Sequence, residues 1–370
     1  MELVLFNWPA AVGGAGTKVE HLLPLLAAEW SVTVVPNDAC QLEEVKWRRY
    51  VEGLGARCCL LEELPERMEG WALCLCNHAF LDRGILGAAR RRGLRIAWSN
   101  EMMWHFPVER GAIAIGLVDA VLYTSPAQRA ALEPGYLSIV GGQVPAGGVV
   151  TARGEVAGEL QRGDGGPPVR WVITGNYIDP AKFPFRGPRS AEGPPFTIGR
   201  LSRPDPLKFP DDFPATYEAL GLRDPVRFRV MGWDERVAAA WPGRVYDNRW
   251  ELLAPLAEDT VRFLQSLDVM VYDLGPRFQE SWGRAVVEAM LCGVVPLVPR
   301  GGGHHLENLV PHGVGGFLCD GPEDFGRYAR MLQDDPALLA RLSHGAREWA
   351  EQRLCNREEH RALWRMVFQD

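Results

Sequence analysis

Residues 269–318 read VMVYDLGPRFQESWGRAVVEAMLCGVVPLVPRGGGHHLENLVPHGVGGFL. The run 269–273 is short and apolar, as a buried strand is, and a loop carrying Glu280 follows it. Gly283 stands near the start of an apolar-periodic segment that predicts a helix holding Glu288, and 294–298 is the next strand. Strand, helix and strand in this order make one βαβ unit, whose strands pair in parallel. Glu280 and Glu288 are eight residues apart, about 12 Å along a helix axis. That span suits a sugar at one end of a diphosphate and a ribose at the other. A helix N-terminus between them offers unpaired N–H groups to the diphosphate. One carboxylate can then accept from sugar hydroxyls and the other from the ribose diol. Equally, Glu280 can cap the helix while Glu288 faces solvent, and spacing alone does not separate these readings.

Outward from this segment the same alternation covers the whole chain. Strands are expected at 2–8, 30–36, 57–61, 72–77, 95–100, 120–125 and 169–176, with helical stretches such as 18–28 and 81–92 between them. The pattern restarts with strands at 196–201, 226–232, 269–273 and 294–298. Between the runs, FPFRGPRSAEGPP (183–195) is rich in Pro and Gly and reads as a linker, while 141–168 reads as a loop inside the first domain. The end of the chain is helical and charged, with apolar Leu354, Leu363, Trp364 and Val367. A chain of 370 residues exceeds ordinary single-domain size. Two doubly wound α/β domains are therefore expected, with ligands at the carboxyl ends of their strands.

Forty Lys and Arg against 47 Asp and Glu leave a net charge of -7, no footprint for nucleic acid. The basic cluster Arg90, Arg91, Arg92 and Arg95 falls where a helix should end. It either complements the helix dipole or meets an anionic acceptor or membrane surface, so membrane association is expected to be peripheral at most. The eight cysteines lack C-x-x-C spacing and several lie in apolar runs, which suits small buried hydrophobes in a reducing cytoplasm. The start, MELVLFNWP, lacks the basic region of a signal peptide, and no stretch approaches the roughly 20 apolar residues of a membrane span.

Glu280-Ser281-Trp282-Gly283, then Glu288-Ala289-Met290, Gly293, Pro296, Gly302-Gly303, Glu307 and 313–318 follow one another in order. This succession resembles the signature of the retaining E-x₇-E glycosyltransferases of family four. The resemblance covers the second half well and the first half in outline. It implies the GT-B fold, two Rossmann-like domains facing a deep cleft: an acceptor-binding domain at 1–183, a nucleotide-sugar domain at 184–345, and a helix at 346–370 crossing back. It also implies that Glu280 orients the donor sugar and Glu288 the ribose, with Ser281, Trp282 and Gly283 beside them.

The family carries a Gly-Arg-Leu followed by Lys-Gly, whose cations hold the donor diphosphate. Here Gly199-Arg200-Leu201-Ser202-Arg203 is followed by Lys208-Phe209, so the resemblance assigns that role to Arg200 and Lys208, with Arg203 able to share it. Fixed cations suit the purpose, because a leaving nucleoside diphosphate gains negative charge. Ordinary surface cations near a strand end are the competing reading. The glycine-rich run 12–18, with Gly14, matches neither a Walker loop nor a dinucleotide fingerprint. In the family such a loop faces the donor phosphates or the acceptor; otherwise it is a tight turn. The family also places a His after the strand expected at 95–100. Asn100 stands there instead, with Glu101 beside it as the first candidate for a general base. His78 and His105 are nearby, and Trp8, Trp98 and Trp104 either line the cleft or pack the core.

No Asp-x-Asp follows a strand, and no metal-ligand spacing is visible. The expectation is a retaining, metal-independent transferase without cofactor, acting on a nucleotide-sugar donor and a glycan, lipid-linked or small-molecule acceptor. A nucleotide-sugar epimerase or phosphorylase of the same fold and a non-catalytic sugar-nucleotide-binding protein are the alternatives.

Overall fold

The computed structural model describes residues 1–11, 14–143, 148–151, 154–187, 193–302 and 304–369. Of the segments expected above, Val12 and Gly13 of the glycine-rich run, 144–147 and 152–153 of the loop, 188–192 of the linker, Gly303 and residue 370 of the last helix lie outside the described residues. The chain divides into two units, Met1–Ile178 with Arg357–Asp370, and Asp179–Asn356.

The first unit is built on strands β1 (Glu2–Phe6), β2 (Ser31–Val35), β3 (Arg57–Cys58), β4 (Gly70–Leu75), β5 (Arg95–Ser99), β6 (Ala120–Tyr123), β7 (Val149–Thr151), β8 (Gly154–Leu160) and β9 (Val169–Ile173). Their order in the sheet is β3-β2-β1-β4-β5-β6-β9-β8-β7. Pairing is parallel as far as β9, and β8 runs antiparallel to both β9 and β7. Side chains alternate across a strand, so a sheet covered on both faces needs apolar residues at every position. β1 shows this: Leu3 and Leu5 join one core cluster, while Val4 and Phe6 join the other.

The segment expected as a loop at 141–168 instead contains β7 and β8, which extend the sheet at its edge. Many glycines and a weak alternation hid them, since half of this hairpin faces solvent. The helix Arg357–Phe368 returns to the first unit, burying Trp364, Val367 and Phe368 in the core beside Trp71. Arg170 Nη1 donates to the carbonyls of Met366, Val367 and Gln369 at 2.8–3.3 Å, satisfying acceptors that a helix C-terminus leaves open.

The second unit holds β10 (Phe196–Leu201), β11 (Val226–Met231), β12 (Trp250–Leu253), β13 (Val269–Val271), β14 (Val295–Pro299) and β15 (Phe317–Cys319). All six run parallel in the order β12-β11-β10-β13-β14-β15. The short edge strands β12 and β15 are additions to the sequence reading. The described start of the expected linker is not loose. Phe183 is buried, its carbonyl accepts from Arg347, and Arg186 N donates to Cys292 O at 3.3 Å.

Candidate active site

Around its first strand each sheet reverses direction: β1 lies between β2 and β4, and β10 between β11 and β13. Connections leave these two central strands toward opposite faces, so a crevice opens beyond their carboxyl ends. In the second unit the chain leaves β10 through Ser202–Lys208 and leaves β13 through Tyr272–Glu280. Three residues singled out in the sequence, Arg200, Lys208 and Glu280, meet there with Tyr272.

Lys208 Nζ lies 2.8 Å from Glu280 Oε2, and the Tyr272 hydroxyl donates to the same oxygen at 2.9 Å. All three side chains are buried. Burial alone would raise the Glu280 carboxyl. The charge of Lys208 outweighs it, helped by hydrogen bonds from Lys208 and Tyr272 and by the charge of Arg203, and holds Glu280 below its ordinary value. The pair is reciprocal: burial opposes the Lys208 charge, and Glu280 raises its pKa above the ordinary lysine value. Glu280 is thus an ionised carboxylate with one oxygen fixed, while no described residue hydrogen-bonds its Oε1.

Arg200 was expected on the donor diphosphate, and the structure gives it other work. It is 0% exposed, its Nη2 donates to Lys208 O at 2.6 Å, and its Nη1 donates to Asp273 O. The guanidinium carbon lies 4.7 Å from the centre of the Phe209 ring and 4.6 Å from that of Tyr272. Arg200 therefore ties the loop after β10 to the loop after β13, and so sets where Lys208 and Tyr272 stand. Arg203 remains nearer solvent, 3.3 Å from Asp205.

Glu288 lies on the helix Arg284–Cys292, whose N-cap Gly283 has no side chain to cap it. Gly283 starts it at φ 95°, and a Cβ there would meet Leu306 Cδ2 at 2.5 Å, so only glycine fits. Arg284 Nε donates to Glu288 Oε1 at 2.7 Å, and its two terminal nitrogens are buried with no acceptor among the described residues. Ser281 is partly exposed, whereas Trp282 is buried.

In the first unit, Gly14 opens the helix Gly14–Ala27, which carries Lys18 inward. Lys18 Nζ lies 2.7 Å from Glu101 Oε1, and Ser99 Oγ donates to that oxygen at 2.5 Å. Asn100 does not offer its amide outward. Its Nδ2 donates to Trp104 O and Glu109 Oε2 at 2.9 Å, and its Oδ1 accepts from Met102 N. Glu109 is wholly buried and takes four donors, from Trp98, Tyr136, Asn100 and Phe106 N. That network pins the loop after β5 and occupies the side chain that stands where the family places a His.

His105 is also internal, with Nε2 2.9 Å from Leu132 O, and exposed His78 stacks on Phe106. Trp8 and Trp98 are core residues; Trp104 stays 49% exposed. Of the basic cluster, Arg90 grips Asp119 at 2.7 and 2.8 Å and Arg95 lies over the Trp71 ring, both work internal to the fold.

Residues 196–335, most of the second unit, match the family model for Glycosyl transferases group 1. The D-inositol 3-phosphate glycosyltransferase of Streptomyces bingchenggensis is 30% identical over 177 residues, which is 42% of this chain and 36% of that protein. Its counterpart in Salinispora arenicola is 29% identical over 224 residues, 52% of this chain and 48% of the relative. The alignments thus span less than half of those curated relatives. Anabaena HepE in complex with UDP and glucose superposes with a TM-score of 0.66 at 16% identity, covering 99% of this chain and 98% of that one. Sucrose-phosphate synthase from Thermosynechococcus elongatus gives 0.60 at 16% identity, covering 99% and 98%.

The chain has the GT-B fold, and its second unit is similar to the group 1 glycosyl transferases over residues 196–335.

Three features of this GT-B protein escaped the sequence reading. Tyr272, in an apolar strand, looked like core, yet its hydroxyl is part of the Glu280 site. His304, beside a run of glycines, accepts a hydrogen bond at Nδ1 from the backbone N–H of Glu280 at 3.1 Å. In the first unit, Asn7, Asn37 and Asn77 follow β1, β2 and β4 and form a chain. Asn77 Nδ2 donates to Asn37 Oδ1 at 2.6 Å, and Asn37 Nδ2 lies 3.4 Å from Asn7 Oδ1. Asn37 stands just past the strand expected at 30–36, while Asn7 and Asn77 fall inside the strands expected at 2–8 and 72–77, where polar residues near the carboxyl end were the available signal. Among the described residues, no helix is long and apolar enough to cross a membrane.

Proposed function

We propose that this protein transfers a sugar from a nucleotide-diphosphate sugar to an acceptor hydroxyl, with retention of anomeric configuration and without a metal. The observation that carries the reading is the ionised Glu280 at the switch point of the second unit, fixed on Oε2 and open on Oε1. A transferring glycosyl group gains positive charge, and a buried carboxylate of fixed geometry opposes that charge without reorganising. The departing diphosphate gains negative charge. Lys208 has a third ammonium N–H for it beyond those facing Glu280 and Tyr272, with Arg203 and the uncapped helix start at Arg284 as further donors.

Glu288, held by Arg284, serves the ribose diol. Arg200 acts behind this layer by placing Lys208. UDP and glucose bound to Anabaena HepE, and UDP-2-fluoro glucose bound to an E. coli neighbour at a TM-score of 0.63, support a uridine donor. The first unit receives the acceptor, at the asparagine chain beyond β1 and β4 and at Glu101. The acceptor hydroxyl attacks on the face the diphosphate is leaving, and a phosphate oxygen takes its proton. The absence of disulfides among the eight cysteines suits the cytoplasm.

Melting curves with UDP-, ADP- and GDP-sugars test the reading. A ligand at a hundred times its Kd stabilises the fold by about 2.7 kcal/mol. One nucleotide class should raise Tm, and a turned-over donor should give a product of unchanged anomeric configuration by NMR. Absence of any shift across the panel, or an inverted product, contradicts it.

A further inference from the structure

We infer that His304 is a donor-sugar contact, giving a hydrogen bond from Nε2 to the same hydroxyl group that Glu280 Oε1 accepts from. The inference rests on the nucleotide-sugar reading above and names a second side chain of that site.

The tautomer follows from geometry. A backbone N–H can only donate, so the bond from Glu280 N fixes His304 Nδ1 as an acceptor and puts the ring proton on Nε2. Gly302 leaves room for the ring. That residue has φ 73°, and a Cβ on it would lie 3.0 Å from His304 Cδ2 and 3.1 Å from Nε2. The main chain is closed around the same point, since His305 N reaches Glu280 O at 3.4 Å. Turning the His304 ring therefore breaks its bond from the Glu280 backbone N–H.

Its charge state agrees. Burial lowers the imidazole, and the nearby carboxylates of Glu280 and Glu307 do not restore it, so the ring is neutral at pH 7. Two polar atoms of the pair then have no hydrogen-bond partner among the described residues: an acceptor, Glu280 Oε1, and a donor, His304 Nε2–H. A hydroxyl is the group that needs one of each, because it donates one hydrogen bond and accepts others. A phosphate oxygen beside Glu280 would meet a carboxylate and is repelled. The pair thus favours a sugar hydroxyl over an anionic oxygen and selects against a donor lacking that hydroxyl.

Two substitutions separate the ring's two nitrogens. His304→Asn can keep an acceptor where Nδ1 stood but has nothing at Nε2; His304→Gln can keep an N–H near Nε2 but loses the tether. Calorimetric titrations with UDP, ADP and GDP, and with the glucose ester of each, give the comparison. In His304→Asn the nucleoside diphosphate should bind as in wild type, while its sugar ester weakens about five- to tenfold, one neutral hydrogen bond. His304→Gln should keep more of the sugar-ester affinity than His304→Asn. Equal weakening of both ligands, or undiminished sugar-ester binding, overturns the inference and leaves the nucleotide-sugar reading standing. Wild-type protein that binds none of the six ligands overturns both. Nitrogen-15 spectra of the wild type need no variant. They should show the neutral Nε2–H form, with Nε2 shifting on addition of the sugar ester and not of the diphosphate; an Nδ1–H ring sinks the inference.

Discussion

Lys208 Nζ and Glu280 Oε2 stand 2.8 Å apart although 72 residues separate them in sequence. Neither is near enough along the chain to sense the other until β10 and β13 lie side by side. Removing one partner strands a buried charge. Lys208→Met should therefore cost about 3 kcal/mol or more in denaturant unfolding. The double variant Lys208→Met with Glu280→Gln should recover part of that loss. If the single variant unfolds like wild type, the pair carries no stability and the buried description is wrong.

The two glutamates should divide their work. On the proposed assignment Glu288 holds the ribose, a contact that changes little as the glycosidic bond breaks, so Glu288→Ala should raise KM by roughly 1.5–3 kcal/mol and weaken free nucleoside diphosphate. Glu280→Ala should lower kcat more than it raises KM and leave diphosphate binding nearly normal. Titration of both variants with the diphosphate, beside steady-state kinetics, decides this. Equal weakening, or the reverse order, refutes the assignment.

Arg200 should behave as a brace. Lysine cannot hold two carbonyls and lie flat between two rings, so Arg200→Lys should lower Tm visibly. The diphosphate affinity of the folded variant should fall by less than that of Lys208→Met. An unchanged Tm with affinity lost would return Arg200 to direct contact with the phosphates.

Burial lowers His305 to about 4. Its unfolded value is near 6.5. With the native pKa depressed, the unfolded chain binds the proton first, so stability is full above about pH 6.5 and falls as pH drops toward 4. The loss attributable to this ring is on the order of 3 kcal/mol at the low end. Unfolding curves between pH 4 and 7 should show the slope, and His305→Gln should flatten it. An identical slope in the variant would assign the acid sensitivity elsewhere.

On the proposed roles of Lys208, Arg203 and the helix start at Arg284 as the positive charge facing the leaving diphosphate, donor turnover should survive excess EDTA. Activity lost to EDTA and restored by Mn²⁺ or Mg²⁺ would show that these groups are insufficient.

Much of this architecture is local in origin. Apolar runs of strand length set between amphipathic stretches require parallel strands with helices on both faces, and that pattern sits in consecutive residues from β1 to β14. The spacing of Glu280, Gly283 and Glu288 likewise lies within one loop and one helix turn, and it marked the second unit. β12 and β15 are edge strands of four and three residues, and the β7–β8 hairpin is half exposed. Edges need no continuous apolar run, so their sequences carry little signal.

What the polar side chains do was decided by tertiary structure. Arg200 and Lys208 look alike in the chain, both cations beside the end of a strand. One is sealed between Phe209 and Tyr272 with backbone carbonyls as partners, and the other meets a carboxylate. Asn100 stands at a strand end in the chain, and buried Glu109, nine residues on, holds its side chain inward. A hydrogen bond forms only when donor and acceptor come within about 3 Å. For residues from different strands that proximity comes from sheet order and not from spacing along the chain, so the sequence named the groups and the fold chose their partners.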